Sequence, residues 1–305
     1  MNISFVHAES PVWDSNRKTL YWVDALQQEV HAMKFDTMEH KMKRIEYGEV
    51  NIVMPIANSK RLLVAVRAQL FLLDMDKPGD YALRLVTSLD EGKPDNILNE
   101  GKADARGRFW GGTKGHQFND TVEPDQGSLY CIEKPYYNKR VALRPVTISN
   151  GITWSLNSSV LYYIDSSTKM IEAFDFDLDT GEISHRRVIV NITDYGASSP
   201  AIPDGMAIDR DGMLWVALMF EGAIVRINPD LRTIVEAYRL PVSLTTSLTW
   251  GGDHLEDLIV TTSRRNLDSK KIKDEPLAGS IFILHGLGTG GVPDNLFVFD
   301  NADNY

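Results

Sequence analysis

The chain has 305 residues and a formal net charge of −10, with 43% hydrophobic and 24% charged residues. This composition is typical of a globular protein that buries a large core, and it excludes an intrinsically disordered chain. The acidic balance and the lack of a long Lys/Arg block argue against nucleic acid as a partner. No apolar run approaches the ~18 residues that a membrane-spanning helix needs, so no membrane association is expected.

Cysteine usage and the start of the chain bear on the compartment. The single cysteine, Cys131, excludes an internal disulfide framework. The first residues lack the basic stretch followed by an apolar one that marks a secretory signal. We therefore expect a cytoplasmic protein, and no obligate protein partner is evident.

Six short apolar segments recur along the chain, most of them preceded by a polar cluster typical of a turn. Their centres lie near Leu20, Leu62, Phe109, Leu161, Leu214 and Leu258. Each segment is followed by a second, alternating run such as "EVHAMKFD", and then by a third run, of which the last is "NLFVFDNA" at 295–302. Counting the strand before the turn, each unit carries four strands.

Four antiparallel strands repeated six times, at a period of about 40 to 50 residues, predict an all-β six-bladed β-propeller. We expect one domain that spans residues 1–305. A β-sandwich also has many short strands, but it does not predict that the strand types recur in the same order six times.

One polar residue precedes each recurring segment by about the same distance. These residues are Glu9, Asn51, Asn99, Asn150, Asp204 and Thr246. Because the first strands of all blades line the channel of a propeller, their side chains should converge at one mouth. Two carboxylates with amide oxygens predict one divalent cation there: Ca²⁺, Mg²⁺, Mn²⁺ or Zn²⁺. The alternatives are a polar plug with ordered water, or plain turn residues at the Asn-Gly step.

The strand directions place two sets of loops at this mouth. The longest are 114–126 and 263–278, and long loops on a rigid scaffold often carry binding residues. The candidates for substrate contact are His116, Gln117, Phe118, Phe220, Arg264 and Arg265. Each could equally be an ordinary surface residue.

Several segments resemble one known family. "HAESPVWD", "ISNGITWS", "IPDGMAID" and "LPVSLTTSLTWGG" are similar to the family of regucalcin, gluconolactonase and luciferin-regenerating enzyme. The resemblance implies a six-bladed propeller with one divalent cation, whose ligand pattern falls on Glu9, Asn150 and Asp204. It also implies hydrolysis of a lactone by water activated by the cation, with Asp204 as ligand and base.

The chain departs from this family at two places. Members that handle sugar lactones usually read Arg-x-Asn-Asp where this chain reads Ile97-Leu98-Asn99-Glu100, and a family acid falls on Gln117. The predicted substrate-binding set consists of Ile97, Asn99, Glu100, His116 and Gln117, and Asn99 matches a substrate- or metal-facing Asn. Because the guanidinium is missing, we expect a less polar lactone or another small-molecule ester as substrate.

The leading hypothesis is therefore a metal-dependent lactone or ester hydrolase. Its alternatives are a non-catalytic calcium- or small-ligand-binding propeller of the regucalcin type and a luciferin-regenerating activity. A propeller that serves as a scaffold for protein partners is a weaker alternative, because it gives no reason for the polar ring.

Overall fold

A computed structural model describes residues 4–133 and 137–300. Six antiparallel sheets surround a central channel, and in each of them the strand nearest the start of the unit is the inner one. Five sheets have four strands, and the sixth has three within the described residues. The predicted six-bladed β-propeller is confirmed.

The first three blades use residues 8–146. Blade 1 consists of β1 (Ala8–Asp14), β2 (Thr19–Asp24), β3 (Glu29–Lys34) and β4 (His40–Arg44). Blade 2 consists of β5 (Val50–Pro55), β6 (Leu62–Val66), β7 (Gln69–Leu73) and β8 (Leu83–Ser88). Blade 3 consists of β9 (Ile97–Ala103), β10 (Phe109–Lys114), β13 (Gly127–Glu133) and β14 (Asn138–Val146), with a small hairpin of β11 (Gln117–Phe118) and β12 (Thr121–Val122) inserted.

The other three blades use residues 149–284. Blade 4 consists of β15 (Ser149–Trp154), β16 (Val160–Asp165), β17 (Met170–Phe176) and β18 (Ile183–Asn191). Blade 5 consists of β19 (Ile202–Ile208), β20 (Leu214–Met219), β21 (Ala223–Asn228) and β22 (Thr233–Arg239). Blade 6 consists of β23 (Thr245–Gly251), β24 (Asp257–Thr262) and β25 (Phe282–Leu284).

Helices are few and short. In the part of the chain that the structure describes, one α-helix, α1, covers Ser269–Asp274, and 3-10 turns lie at Gly79–Ala82, Ser166–Thr168 and Ile192–Tyr195. None of the helices in the described ranges has the length and apolar character needed to cross a membrane.

The strand sequences follow from the packing of the blades. Both faces of each sheet pack against neighbouring blades, so the second strands read as continuous apolar runs rather than alternating ones. In β6 and β20 every residue is buried. The outer strands β4 and β22 are half exposed and contain charged residues. The ring closes through backbone hydrogen bonds from Phe5 to Gly279 and from Arg264 to Val6.

The run "NLFVFDNA" does not form an outer strand of blade 6, so that prediction is wrong. Its described part, 295–300, lies beneath blades 2 and 3; residues 301–302 lie outside the described residues. Phe297 forms a parallel bridge with Ile56 and packs in one cluster with Phe109. The apolar side chains of this run are buried against blades 2 and 3, which removes them from water as well as packing in an outer strand would.

Each of the six inner strands carries a register shift at its predicted polar residue. The shifts span Glu9, Asn51, Asn99, Asn150, Asp204 and Thr246. A β-bulge bends its strand and redirects a side chain, and bulges recur near functional sites. The glycines that follow two of these residues allow neighbouring strands to approach. A Cβ on Gly151 would lie 2.6 Å from the Asp204 carbonyl oxygen, and one on Gly205 would lie 2.1 Å from Ser247 Oγ.

Candidate metal centre and substrate mouth

A narrow cavity of about 50 Å³ lies at the end of the channel where the inner strands begin. Four of the six predicted polar residues line it: Glu9, Asn99, Asn150 and Asp204. Thr246 is instead used within the scaffold, because its hydroxyl donates to the Ala8 carbonyl oxygen at 2.7 Å. Asn51 is buried in β5 and does not line this cavity. The structure thus brings together the residues predicted as cation ligands, together with one neighbouring amide.

The two carboxylates of the mouth have few partners. Asp204 is 3% exposed, and its carboxylate has no hydrogen bond or ion pair to any described residue. Glu9 Oε2 is buried without a hydrogen-bond partner in the described chain, and Glu9 Oε1 lies 3.6 Å from His7 Nε2. A buried carboxylate without partners is costly, so these oxygens require a positively charged or donating ligand.

The shifted pKa values of these two carboxyl groups also indicate that the mouth favours a positively charged ligand. Burial, followed by the charges of Asp204 and Glu100, raises the pKa of the Glu9 carboxyl well above its ordinary value. Burial and the charge of Glu100 likewise raise the pKa of Asp204. A cation held between the carboxylates would offset both effects and keep them ionised.

The two asparagines form a hydrogen-bonded pair beside the carboxylates. Asn99 Nδ2 donates to the Ser149 carbonyl oxygen at 2.9 Å and to Asn150 Oδ1 at 3.0 Å. Asn150 Nδ2 donates to Ser166 Oγ at 2.7 Å. These bonds fix the orientation of the Asn150 amide, and its oxygen retains a lone pair for a further partner.

The donor set fits a hard divalent cation. Oxygen donors from two carboxylates and one amide suit Ca²⁺, Mg²⁺ and Mn²⁺, and Zn²⁺ can also use them. Over residues 4–133 and 137–300, no three His, Cys, Asp or Glu side chains are grouped so that they could hold a metal ion. A cation at this mouth would therefore depend on the Asn150 amide as well as on the two carboxylates.

Two loops from opposite blades meet over the mouth. The hairpin β11–β12 belongs to blade 3, and Arg265 follows the second strand of blade 6. Arg265 Nη2 donates to the Asn119 carbonyl oxygen at 2.9 Å and to Asp120 Oδ1 at 3.1 Å. Asn266 Nδ2 donates to the same Asp120 oxygen at 3.0 Å. Of the predicted loop candidates, Gln117, Phe220 and Arg265 line the cavity.

Other predicted contacts lie elsewhere. Glu100 faces a second cavity, of about 260 Å³, deeper in the channel. Ile97 does not line the mouth cavity, and His116 and Phe118 are exposed. Arg264 reaches away to Ser4 Oγ. The structure therefore does not place these five residues at the mouth, and their predicted roles in substrate binding stay without support from the geometry.

Lys114, which we did not single out in the sequence, is a prominent group of the mouth. It ends β10, is 7% exposed and lines the cavity. Burial lowers the pKa of its ammonium group, while the charges of Glu49, Glu9 and Asp204 act in the opposite direction. The sequence signal was its position: it ends a strand that is otherwise uncharged, where a long side chain can turn back into the channel.

The arrangement defines a class: a six-bladed propeller with a polar, acidic mouth built from bulged inner strands. The family described as "SMP-30/Gluconolactonase/LRE-like region" matches residues 7–264. The chain belongs to this family, as the sequence motifs had indicated.

Known proteins resemble the chain over nearly its whole length. It is 34% identical to regucalcin of Bos taurus over 286 residues, which covers 93% of this chain and 92% of the relative. It is 33% identical to regucalcin of Homo sapiens over 285 residues, again covering 93% and 92%. A solved luciferin-regenerating enzyme superposes with a TM-score of 0.90 at 26% identity, covering 97% of this chain and 96% of that one.

A calcium-binding regucalcin from Agrobacterium tumefaciens superposes with a TM-score of 0.86 at 24% identity, covering 97% of this chain and 95% of that one. A gluconolactonase from Xanthomonas campestris superposes with a TM-score of 0.67 at 18% identity, covering 85% and 84%. At these identities the two structures support the fold alone.

Proposed function

We propose that this protein is a divalent-cation-dependent hydrolase of lactone or related ester bonds in small molecules. One observation carries the proposal: Glu9, Asn150 and Asp204 line a single narrow cavity, and the Asp204 carboxylate is buried there without a partner among the described residues. Family membership supports the same reaction class.

The roles of the residues follow from their positions. Glu9, Asp204 and the oxygen of Asn150 would hold the cation, which when bound polarises a carbonyl group and lowers the pKa of water. Asp204 would accept a proton from the attacking water, because a carboxylate oxygen without a hydrogen bond is free to do so. Asn99 keeps Asn150 oriented through its amide hydrogen bond. The two loops that meet at Asp120 would limit the entry of bulk water.

The test is hydrolysis of a panel of lactones and esters by chelator-stripped protein titrated with Ca²⁺, Mg²⁺, Mn²⁺ or Zn²⁺. We expect turnover only after a cation is added, and in Asp204→Ala a loss of about 10²- to 10³-fold in kcat. Asp253→Ala is the matched control, because Asp253 is exposed and lies in the turn between β23 and β24 at the other face. Turnover without any cation, or full activity of Asp204→Ala, would contradict the proposal.

A non-catalytic cation- or small-ligand-binding propeller is the second candidate. It is favoured by Gln117, a neutral amide that lines the mouth at a position where family members carry an acid. Cation binding measured by calorimetry without hydrolysis of any substrate in the panel would select this candidate over the hydrolase.

A further inference from the structure

Lys114 is a buried cation without a direct ion pair to any described residue, and the carboxylates of Glu49, Glu9 and Asp204 act on it only at longer range. Its Nζ donates to Gln117 Oε1 at 2.9 Å, and this neutral amide oxygen is its one hydrogen-bond acceptor within the described residues. No carboxylate of residues 4–133 or 137–300 forms an ion pair with it. An ammonium group has three N–H donors, so two of them remain available at the cavity.

The strand pair that carries Lys114 offers no other cation to the mouth. Lys114 pairs with Ile97 across β10 and β9, and Ile97 is apolar and lies outside the cavity lining. Arg265 approaches from the opposite blade and lines the same cavity. One nitrogen of its guanidinium is used by Asn119 and Asp120, and Asp120 is 53% exposed, so solvent screens that ion pair.

The charges at the mouth leave an excess that a ligand must match. Glu9 and Asp204 together carry the charge that one divalent cation neutralises. With such a cation in place, the third carboxylate of the cavity lining, Asp120, is paired with Arg265. Glu49, whose charge acts most strongly on Lys114, lies outside the lining, so the ammonium of Lys114 has no paired counter-charge within the cavity. A buried unpaired ammonium is strongly unfavourable, so the site is built to receive an anion.

We propose that Lys114, assisted by Arg265, binds a carboxylate group of the substrate, and that this protein therefore acts on anionic lactones or esters. The cavity of about 50 Å³ admits a small planar group such as a carboxylate. Charge-assisted hydrogen bonds from an ammonium and a guanidinium are the strong interactions that such a group makes in proteins. This proposal rests on the proposed hydrolase function and replaces the expectation of a less polar substrate.

The test compares two substrates that differ only in charge: γ-butyrolactone carboxylate and its carboxamide. Hydrolysis is measured with calcium-loaded wild type, Lys114→Met and Lys114→Arg. We expect wild type to prefer the carboxylate by about tenfold or more in kcat/KM, mainly through KM. Lys114→Met should lose at least about tenfold more activity on the carboxylate than on the carboxamide, and Lys114→Arg should restore the preference.

Lys102→Met is the matched control, because Lys102 belongs to the same blade but lines the deeper cavity. It should retain the wild-type preference for the carboxylate. An equal loss on both substrates in Lys114→Met, or an unchanged preference, would overturn the proposal.

A binding measurement separates this proposal from the hydrolase function. Glutarate cannot be hydrolysed, so its affinity for the calcium-loaded protein is measured by calorimetry whether or not any lactone is turned over. Binding that Lys114→Met weakens by about tenfold or more, and that Lys114→Arg retains, supports the anion site even if no hydrolysis is found. Equal binding by wild type and Lys114→Met would refute it even if lactones are hydrolysed.

Discussion

Two buried aspartates lie five residues apart on blade 5, and their surroundings are opposite. Asp209, directly after β19, is fully buried and accepts hydrogen bonds from Trp215 Nε1 and Arg226 Nε, both at 2.9 Å, and from two backbone N–H groups. The carboxylate of Asp204, inside β19, has no hydrogen bond to any residue that the structure describes. The difference distinguishes a structural charge from a functional one. A carboxylate whose oxygens accept several hydrogen bonds stabilises a turn, whereas a buried carboxylate without hydrogen bonds is available to bind a ligand.

The arrangement around Asp209 recurs in blade 3. Asp104 accepts hydrogen bonds from Trp110 Nε1 at 3.0 Å and from Arg108 Nε at 2.6 Å. The same type of turn in two blades indicates that the face opposite the mouth is stabilised by repeated hydrogen-bonded aspartates. The carboxylates of Glu9 and Asp204 at the mouth have no comparable set of hydrogen bonds to the described residues.

The largest expected effect comes from replacing Asp209, the aspartate whose carboxylate is fully hydrogen-bonded. Asp209→Ala leaves Arg226 partly buried and the Trp215 indole N–H without its acceptor, so we expect a loss of about 3–5 kcal/mol in the free energy of unfolding. Urea denaturation followed by tryptophan fluorescence measures this loss. Asp211→Ala, which removes an exposed contact of Arg226, is the control and should change stability much less. Equal stability of wild type and Asp209→Ala would show that the turn is not stabilised by this carboxylate.

Replacement of Asp204, whose carboxylate has no hydrogen bond to the described residues, should have the opposite effect on stability. Asp204→Asn removes a buried charge, so we expect the chelator-treated variant to be at least as stable as wild type. Calcium at a hundred times its dissociation constant should stabilise wild type by about 2.7 kcal/mol and leave Asp204→Asn nearly unchanged. Thermal unfolding with and without calcium measures both differences. A variant that calcium stabilises as strongly as wild type would exclude Asp204 as a ligand.

Glu100, deeper in the channel, is a third buried carboxyl group, and its effect on stability should depend on pH. Burial raises the pKa of its carboxyl to about 7, from an ordinary value of 4.5. A proton is therefore held more tightly in the folded state, and stability is lost as the pH rises from about 4.5 to about 7. We expect Glu100→Gln to be more stable than wild type by about 2 kcal/mol at pH 8, and similar to it at pH 4.

This difference is measured by urea denaturation at several pH values in the presence of a chelator. Glu182→Gln is a control, because Glu182 is a surface residue whose ion pair with Arg140 spans 3.7 Å. A constant difference between Glu100→Gln and wild type at all pH values would contradict the assigned titration.

The smallest effect should come from the contact between the two loops. Asp120→Ala removes the shared acceptor of Arg265 and Asn266. Because Asp120 is half exposed, we expect a change of less than about 1 kcal/mol in the free energy of unfolding. Hydrogen exchange should nevertheless become faster in the hairpin at 117–122, since its link to blade 6 is lost. Unchanged exchange in this hairpin would show that the contact does not hold the loops together.

Much of this architecture can be predicted from the sequence because a short apolar strand recurs at a similar spacing in every blade. The polar phase of the inner strands also located Glu9, Asn99, Asn150 and Asp204 in one cavity. The prediction for the C-terminal run "NLFVFDNA" was wrong for a physical reason. An alternating apolar pattern indicates that a segment will be buried, but it does not indicate which part of the protein the segment packs against. Phe297 is buried under blades 2 and 3.

Individual site residues were harder to predict for local reasons. The bulge at Asn99 directs that side chain to the mouth cavity, while Glu100, after the bulge, lines the deeper cavity. Lys114 was overlooked because a lysine at the start of a long loop reads as a solvated residue, and only the closed ring of blades buries it. Thr246 has the right phase, but its hydroxyl is committed to the neighbouring blade at Ala8.

The six bulges make the mouth modular. Each blade carries one polar residue at a register shift contained within that blade's own strand pair, and four of the six blades present this residue to the mouth cavity. An exchange at one position, such as Asn99 in blade 3, therefore changes one wall of the mouth and leaves the pairing of the other five sheets intact. A scaffold of this kind can acquire new specificities one blade at a time, with the cost in stability confined to a single sheet.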